Sequence, residues 1–211
     1  MRMRLILASK SPRRREILTM LGVPFEIVTQ DTPEFVPQGT PPRETVCLLS
    51  AQKAQAVAQK LYHGVVWPDD AYVLGADTVV SVDDRILGKP RDLAEASDML
   101  RVLSGRAHQV YTGLTVLHAD RCVSEAACTV VHMRAITEQE RKFYVAAGEP
   151  IDKAGAYAIQ GRGSLFVDRI EGDFYNVIGL PITLLQQMLQ QQFGVRLSAW
   201  QSRVPAENGA R

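Results

Sequence analysis

Segments with strand-like and helix-like apolar spacing alternate along nearly the whole chain, and that mixing most constrains what it can fold into. Residues 3–8 form a short apolar run that reads as a buried strand. Ser11-Pro12 then opens a helix, with Ser as N-cap and Pro in the first helical position. Ile17, Leu18 and Leu21 keep helical spacing, and Gly22 ends the helix. A second strand is predicted at 25–28, followed by a polar, Pro-rich loop at 30–42. A long amphipathic helix over 43–61 carries Val46, Leu49, Lys53, Ala56 and Leu61. Residues 72–82 read as a strand, with Asp83-Asp84 turning the chain into a partner at 85–87. The spacing predicts a helix over 92–103, strands near 109–117 and 122–133, and a helix capped by Thr137 that runs to about 147. A glycine-rich loop at 148–163, a strand at 165–170 and a last helix at 181–193 complete the pattern. The class is therefore α/β or α+β, with some antiparallel hairpins.

Composition excludes several function classes. The 211 residues carry 24 Lys+Arg against 23 Asp+Glu, a net charge of +1, which argues against a bulk nucleic-acid binder. With 46% hydrophobic and 22% charged residues the chain is no candidate for disorder. The three cysteines, Cys47, Cys122 and Cys128, contain no CxxC, so neither a disulfide framework nor a thiolate zinc site is indicated. A reduced, cytoplasmic setting is expected. The apolar stretch at 5–8 is shorter than the roughly seven residues of a secretory core. No run approaches the ~18 apolar residues of a membrane-spanning helix.

Four places could carry chemistry. Ser9-Lys10-Ser11-Pro12-Arg13-Arg14-Arg15 sets arginines in the first turn of a helix, against its dipole. The segment reads either as an anion site, where amide N–H groups, hydroxyls and guanidiniums converge, or as a solvated basic face. Asp77 lies in Gly75-Ala76-Asp77-Thr78-Val79-Val80, inside a strand, where Asp is a poor fit. A buried carboxylate needs a cation or strong donors, and a structural Asp with local hydrogen bonds is the alternative. Lys89 follows in Gly88-Lys89-Pro90. A two-residue turn at Asp83-Asp84 puts Lys89 opposite Thr78, and a three-residue turn puts it opposite Asp77. In the segment 152–163, three glycines in nine residues allow close backbone approach to a ligand, and Gln160 offers one donor and one acceptor edge to a base. Taken by itself, that segment fits a plain irregular loop better. The histidines His63, His108, His118 and His132 show no HExxH-type spacing and read as surface or core residues.

Taken together and in order, LILASKSPRRREIL, GADTVV, LGKPRD, LSGRAHQVYTG, GEPIDKAGAYAIQGRG and NVIGLP resemble the Maf-like family of nucleoside triphosphate pyrophosphatases. The resemblance spans residues 5 to about 181. It implies a Maf/inosine-triphosphatase-like α/β fold, an elongated mixed β-sheet with helices around it and two lobes flanking a nucleotide cleft. It also implies hydrolysis of a nucleotide to monophosphate plus diphosphate with Mg²⁺ or Mn²⁺. Asp77 matches the family's catalytic acid–base carboxylate, with Lys89 beside it. Arg13, Thr78 and Gln160 match the positions tied to substrate choice. They carry the pattern of the dTTP/UTP subgroup, whereas a 7-methyl-GTP subgroup has Gln and Glu at the last two. Ser9, Arg13, Arg14, Lys53 and Lys89 match phosphate-binding positions, and Glu34 with Asp77 the metal-binding carboxylates.

The expected layout is one pyrophosphatase domain over 1–197 and a polar, frayed tail over 198–211. A nucleoside triphosphate is the implied partner, with a homodimer expected and neither nucleic acid nor membrane. Two competing classes are a nucleotide-binding regulator of septum formation with little turnover, and a phosphatase releasing orthophosphate. The Asp77, Lys89 and Glu34 set argues for an enzyme, since a pure binder needs no base beside a metal.

Overall fold

A computed structural model describes residues 4–31 and 33–197 of the chain. The expected tail lies outside them. Seven strands form one mixed sheet: β1 (Arg4–Ala8), β2 (Phe25–Ile27), β3 (Ala71–Val82), β4 (Arg85–Leu87), β5 (Ala107–His118), β6 (Arg121–Met133) and β7 (Val167–Glu171). Their order is β2-β1-β3-β5-β6-β7, with β4 also on β3. The β2-β1-β3 pairs are parallel and all others antiparallel. Around the sheet lie α1 (Pro12–Met20), α2 (Pro42–Tyr62), α3 (Leu93–Leu103), α4 (Glu138–Ala146), α5 (Phe174–Ile178) and α6 (Ile182–Phe193).

The sheet has one interruption that matters for function. Along one edge, β3 pairs with β1 up to Gly75 and with β4 from Val80 onward. Between them, Ala76 to Val79 have no strand partner on that side. The Asp83-Asp84 turn makes this gap possible. Both residues take positive φ, 50° and 59°, giving the tight two-residue hairpin with Val82 opposite Arg85. Of the two registers the sequence allowed, the two-residue one holds, and β4 leaves the ladder at Leu87 before Lys89 is reached.

Long strands run through two apolar cores. One gathers Leu7, Leu18, Leu74, Leu114, Leu185 and Met188, the other Val80, Leu100, Leu103, Val110, Val131 and Tyr144. A polar layer lies between them. Thr112 donates to the Asn176 carbonyl oxygen at 2.9 Å, and the Asn176 amide donates to Val110 O and Thr129 Oγ1, each at 2.9 Å. Thr112, Thr129 and Asn176 are fully buried, and these bonds pair their desolvated groups apart from the Asn176 side-chain oxygen, which has no partner among the described residues.

On the opposite sheet face, α2 packs unusually close. A Cβ on Gly75 would stand 2.1 Å from Ser50 O, and one on Gly113 2.3 Å from Val46 O. Backbone cannot retreat as a flexible side chain can. Gly113→Ala is therefore expected to lower unfolding free energy by about 2 kcal/mol, within the range for overpacking. Chemical denaturation measures it, and an unchanged midpoint would contradict the close approach.

Three local expectations are corrected. The strand expected at 165–170 starts at Val167, because residues 162–166 form a 3₁₀ turn. α5 was not anticipated, since five residues are too few to display a helical period. Ser11 holds an extended N-cap backbone, but its side chain makes no capping bond. Thr137 does cap α4, in a reciprocal box with Glu140.

Candidate active site

The gap in β3 opens onto a cleft of about 340 Å³. Its walls come from the β1–α1 turn, from β3, from the segment after β4 and from the loop 152–160. This is the carboxyl end of parallel strand β1, the usual ligand position in sheets with parallel strands. Gly155 ties the last two walls together. Its N–H donates to Gly88 O at 3.0 Å, its φ is +68°, and a Cβ there would strike Val80 at 2.9 Å. Only glycine meets both demands.

Asp77 and Thr78 are neighbours on one strand, so their side chains leave opposite faces. Asp77 turns toward α2, where Lys53 Nζ donates to its Oδ1. The same ammonium pairs with Glu34 Oε1 at 2.9 Å. The close seat of α2 over Gly75 sets this distance, since Lys53 is one turn beyond Ser50. Glu34 arrives from an irregular loop that is pinned next door. Gln52 on α2 accepts from Phe35 N–H at 3.0 Å and donates to Phe35 O at 2.6 Å. The two carboxylates expected at a metal thus converge on a single cationic centre. Among the described residues, no group of three or more His, Cys, Asp and Glu side chains assembles as a metal cluster.

Thr78 turns toward the polar layer. Thr112 gives its proton to Asn176 O, so in the 2.9 Å contact between Thr78 Oγ1 and Thr112 Oγ1 it is Thr78 that donates. Thr78 in turn accepts from Arg14 Nη2 at 3.0 Å. A hydroxyl has one proton and two lone pairs, so Thr78 has one acceptor position left to offer the cleft.

Arg14 is buried, and three of its five N–H donors are taken by the protein. Besides Thr78 they serve Gly179 O at 2.8 Å and Ser9 Oγ at 2.9 Å. Burial pushes the Arg14 pKa down, and the nearby Asp77 charge opposes that shift. Ser9 Oγ also accepts from Ser11 N–H at 3.2 Å, so what the Ser9 hydroxyl has left to give is its proton. Arg13 and Lys89 reach the same cleft as partly or fully exposed cations, and Gln160 lines it from the far side.

The residues read from the sequence thus share one cleft region. Ser9, Arg13, Arg14, Asp77, Thr78, Lys89 and Gln160 line the main cleft, and Lys53 and Glu34 line a smaller adjoining hollow with Ser9. Lys10, Asp152, Lys153 and Tyr157, which lie in the singled-out segments but received no role of their own from the sequence, line the main cleft too. Lys153 Nζ donates to Asp152 Oδ1 at 2.5 Å and to Glu149 O at 2.7 Å. Asp152 is held below its usual range by Lys153 and Arg13 against the cost of burial. Tyr157 Oη lies 2.7 Å from Nε2 of fully buried His108, whose pKa burial lowers to about 4. The adjacent Asp152-Lys153 pair in a glycine-rich segment was the available signal.

The family described as Maf-like protein matches residues 4–192. The dTTP/UTP pyrophosphatase of Bacillus anthracis (strain CDC 684 / NRRL 3495) is 47% identical over 188 residues, covering 89% of this chain and 95% of the relative. The protein of the same name from Bacillus cytotoxicus is 46% identical over 186 residues, covering 88% and 94%. Among solved structures, the Staphylococcus aureus Ham1 protein aligns over 90% of this chain and 99% of its own, with 15% identity and a TM-score of 0.48. The family match across nearly all described residues, and near-half identity over matched lengths, place this chain in the Maf-like protein family.

Proposed function

We propose that this chain hydrolyses dTTP and UTP to the nucleoside monophosphate and diphosphate, by attack of water on the α-phosphorus. One observation carries the reading. A carboxylate, Asp77, stands at the unpaired stretch of a central strand, facing a cationic cleft, and its charge is met by a lysine ammonium that it shares with Glu34. A binding module for septum regulation could use the same cleft, but has no use for a poised base there. The activity in the names of the Bacillus relatives supports the same choice.

The residues divide the work. Asp77 Oδ takes the proton of the attacking water. Arg13, Lys89 and the Ser9 hydroxyl hold the triphosphate, and the open first turn of α1 adds favourable dipole. Arg14, three bonds deep in the protein, keeps Ser9 and Thr78 in place while its remaining N–H groups face the anion. Lys53 stays with the Asp77 and Glu34 pair and stabilises the negative charge that builds on the leaving diphosphate. Gln160 and Thr78 meet the pyrimidine.

Glu34 and Asp77 offer oxygen ligands alone and already meet one shared cation, so their chemistry fits Mg²⁺ or Mn²⁺ with phosphate oxygens and water completing the shell. Such an ion, when bound, neutralises charge on the phosphates. A homodimer in the cytoplasm belongs to the same proposal.

The test is product identity. Purified protein with dTTP should yield dTMP and diphosphate in equal amounts, with no orthophosphate before a diphosphatase is added. Orthophosphate with dTDP would replace this function by that of a phosphatase.

A further inference from the structure

The turn that carries Gln160 is closed at its neck by side chains outside the cleft. Glu149 Oε2 accepts from Arg162 N–H at 3.2 Å, and Oε1 accepts from Gly163 N–H at 3.3 Å. Tyr144 Oη donates to Glu149 Oε1 at 3.1 Å. Residues 162 and 163 are thereby fastened to one carboxylate, Ala158 packs directly against Gly163, and Gln160 sits between them. Packing tolerates no looser version. A Cβ on Gly163 would stand 2.4 Å from Ala158 O and 2.9 Å from Tyr144 Oη, and Gly161 takes φ +86° with its Cβ direction 3.1 Å from Glu149 Oε1. Tyr144 is 1% exposed, so its donor has no water to turn to. Among the described residues lining the cleft, Gln160 is present and Glu149 and Tyr144 are not.

We propose that Glu149, with Tyr144, is a positioning residue for nucleobase selection: its carboxylate fixes the 158–163 turn so that the Gln160 amide presents its donor and acceptor in register with the base. The proposal rests on the reading that Gln160 meets the base. Hydrogen-bonded discrimination depends on placement within a few tenths of an ångström, because a shifted donor neither pays back its own desolvation nor rejects the wrong ring. A carboxylate suits the neck because all three groups that face it are donors. A Gln at 149 would turn an NH₂ toward one of them.

The experiment compares kcat and KM for dTTP, UTP and GTP in wild type, Glu149→Gln, Tyr144→Phe, Gln160→Ala and Glu149→Gln with Gln160→Ala. The dTTP-over-GTP ratio of kcat/KM should fall about tenfold in Glu149→Gln, mostly through KM for dTTP, with a smaller fall in Tyr144→Phe. In the Gln160→Ala background, Glu149→Gln should change the ratio no further. A structural role alone would lower activity on all three nucleotides alike and leave the ratio fixed, which would overturn the proposal. If Gln160→Ala changes the ratio and neither Glu149→Gln nor Tyr144→Phe does, the positioning role fails and the reading of Gln160 stands. If Gln160→Ala itself leaves the ratio unchanged, both fail. Should Glu149→Gln not fold, Tyr144→Phe, which removes one hydroxyl and keeps the ring, decides by the same ratio.

Discussion

Asp77→Asn is expected to lower kcat on dTTP by at least about a hundredfold, the low end for losing a general base. The amide keeps the shape of the carboxylate but cannot take a proton from water. The fold should survive, because Asp77 contributes no bond to the core. Among the described residues its side-chain partner is Lys53, which also pairs with Glu34 at 2.9 Å and retains that partner. Melting temperature should therefore stay within a few degrees of wild type while turnover collapses. A purified, folded variant with near wild-type kcat would remove Asp77 from the chemistry and leave it as a structural partner of Lys53.

A comparable effect is expected on substrate choice. A neutral Gln160 donates to a pyrimidine carbonyl and accepts from the ring N3–H, which suits uracil and thymine alike. An ionised Glu could only accept, and would favour a ring that presents more donors, as guanine does. Thr78 adds a constraint of its own. Its proton is committed to Thr112 and one lone pair to Arg14, so it can offer the cleft only an acceptor and a methyl group. Gln in its place would have to satisfy Arg14 and would fill space a base now has. Wild type should favour dTTP and UTP over GTP and ATP by about a hundredfold in kcat/KM, the upper end of the effect of leaving one buried polar group unpaired. Thr78→Gln with Gln160→Glu should lose most of that preference and more pyrimidine activity than general activity. The measurement is kcat/KM across dTTP, UTP, CTP, GTP, 7-methyl-GTP and ATP. A wild-type preference for a purine, or an unaltered ranking in the double variant, would show that these residues are not the selector.

Much of this geometry was legible in the residues, and the limits have physical causes. Asp77 announced itself because a carboxylate among valines must find a cation, and Lys53 proved to be the one it found. Strand and helix positions followed from periodicity, and the turn at Asp83-Asp84 was legible although its register was not. What could not be read was contact across the fold. Nothing local in Gly75 or Gly113 distinguishes a glycine that admits a helix backbone from one that merely loosens a strand. Arg14 looked like Arg13 and Arg15, yet its burial against Gly179, 165 residues away, makes it a brace as well as a cation. Glu34 lies in a loop without period, and its position depends on Gln52 holding Phe35. Glu149 drew no reading of its own because its three partners only meet once the loop closes.

The central claim is that water attacks the α-phosphorus of a pyrimidine nucleoside triphosphate in this cleft. Hydrolysis of dTTP in ¹⁸O-labelled water, read by mass spectrometry of the products, tests it most directly. One ¹⁸O should be found in dTMP and none in the diphosphate, with the signal lost in Asp77→Asn. Label in the diphosphate would move the attack to the β-phosphorus, and label in orthophosphate beside dTDP would move it to the γ-phosphorus; either would contradict the account.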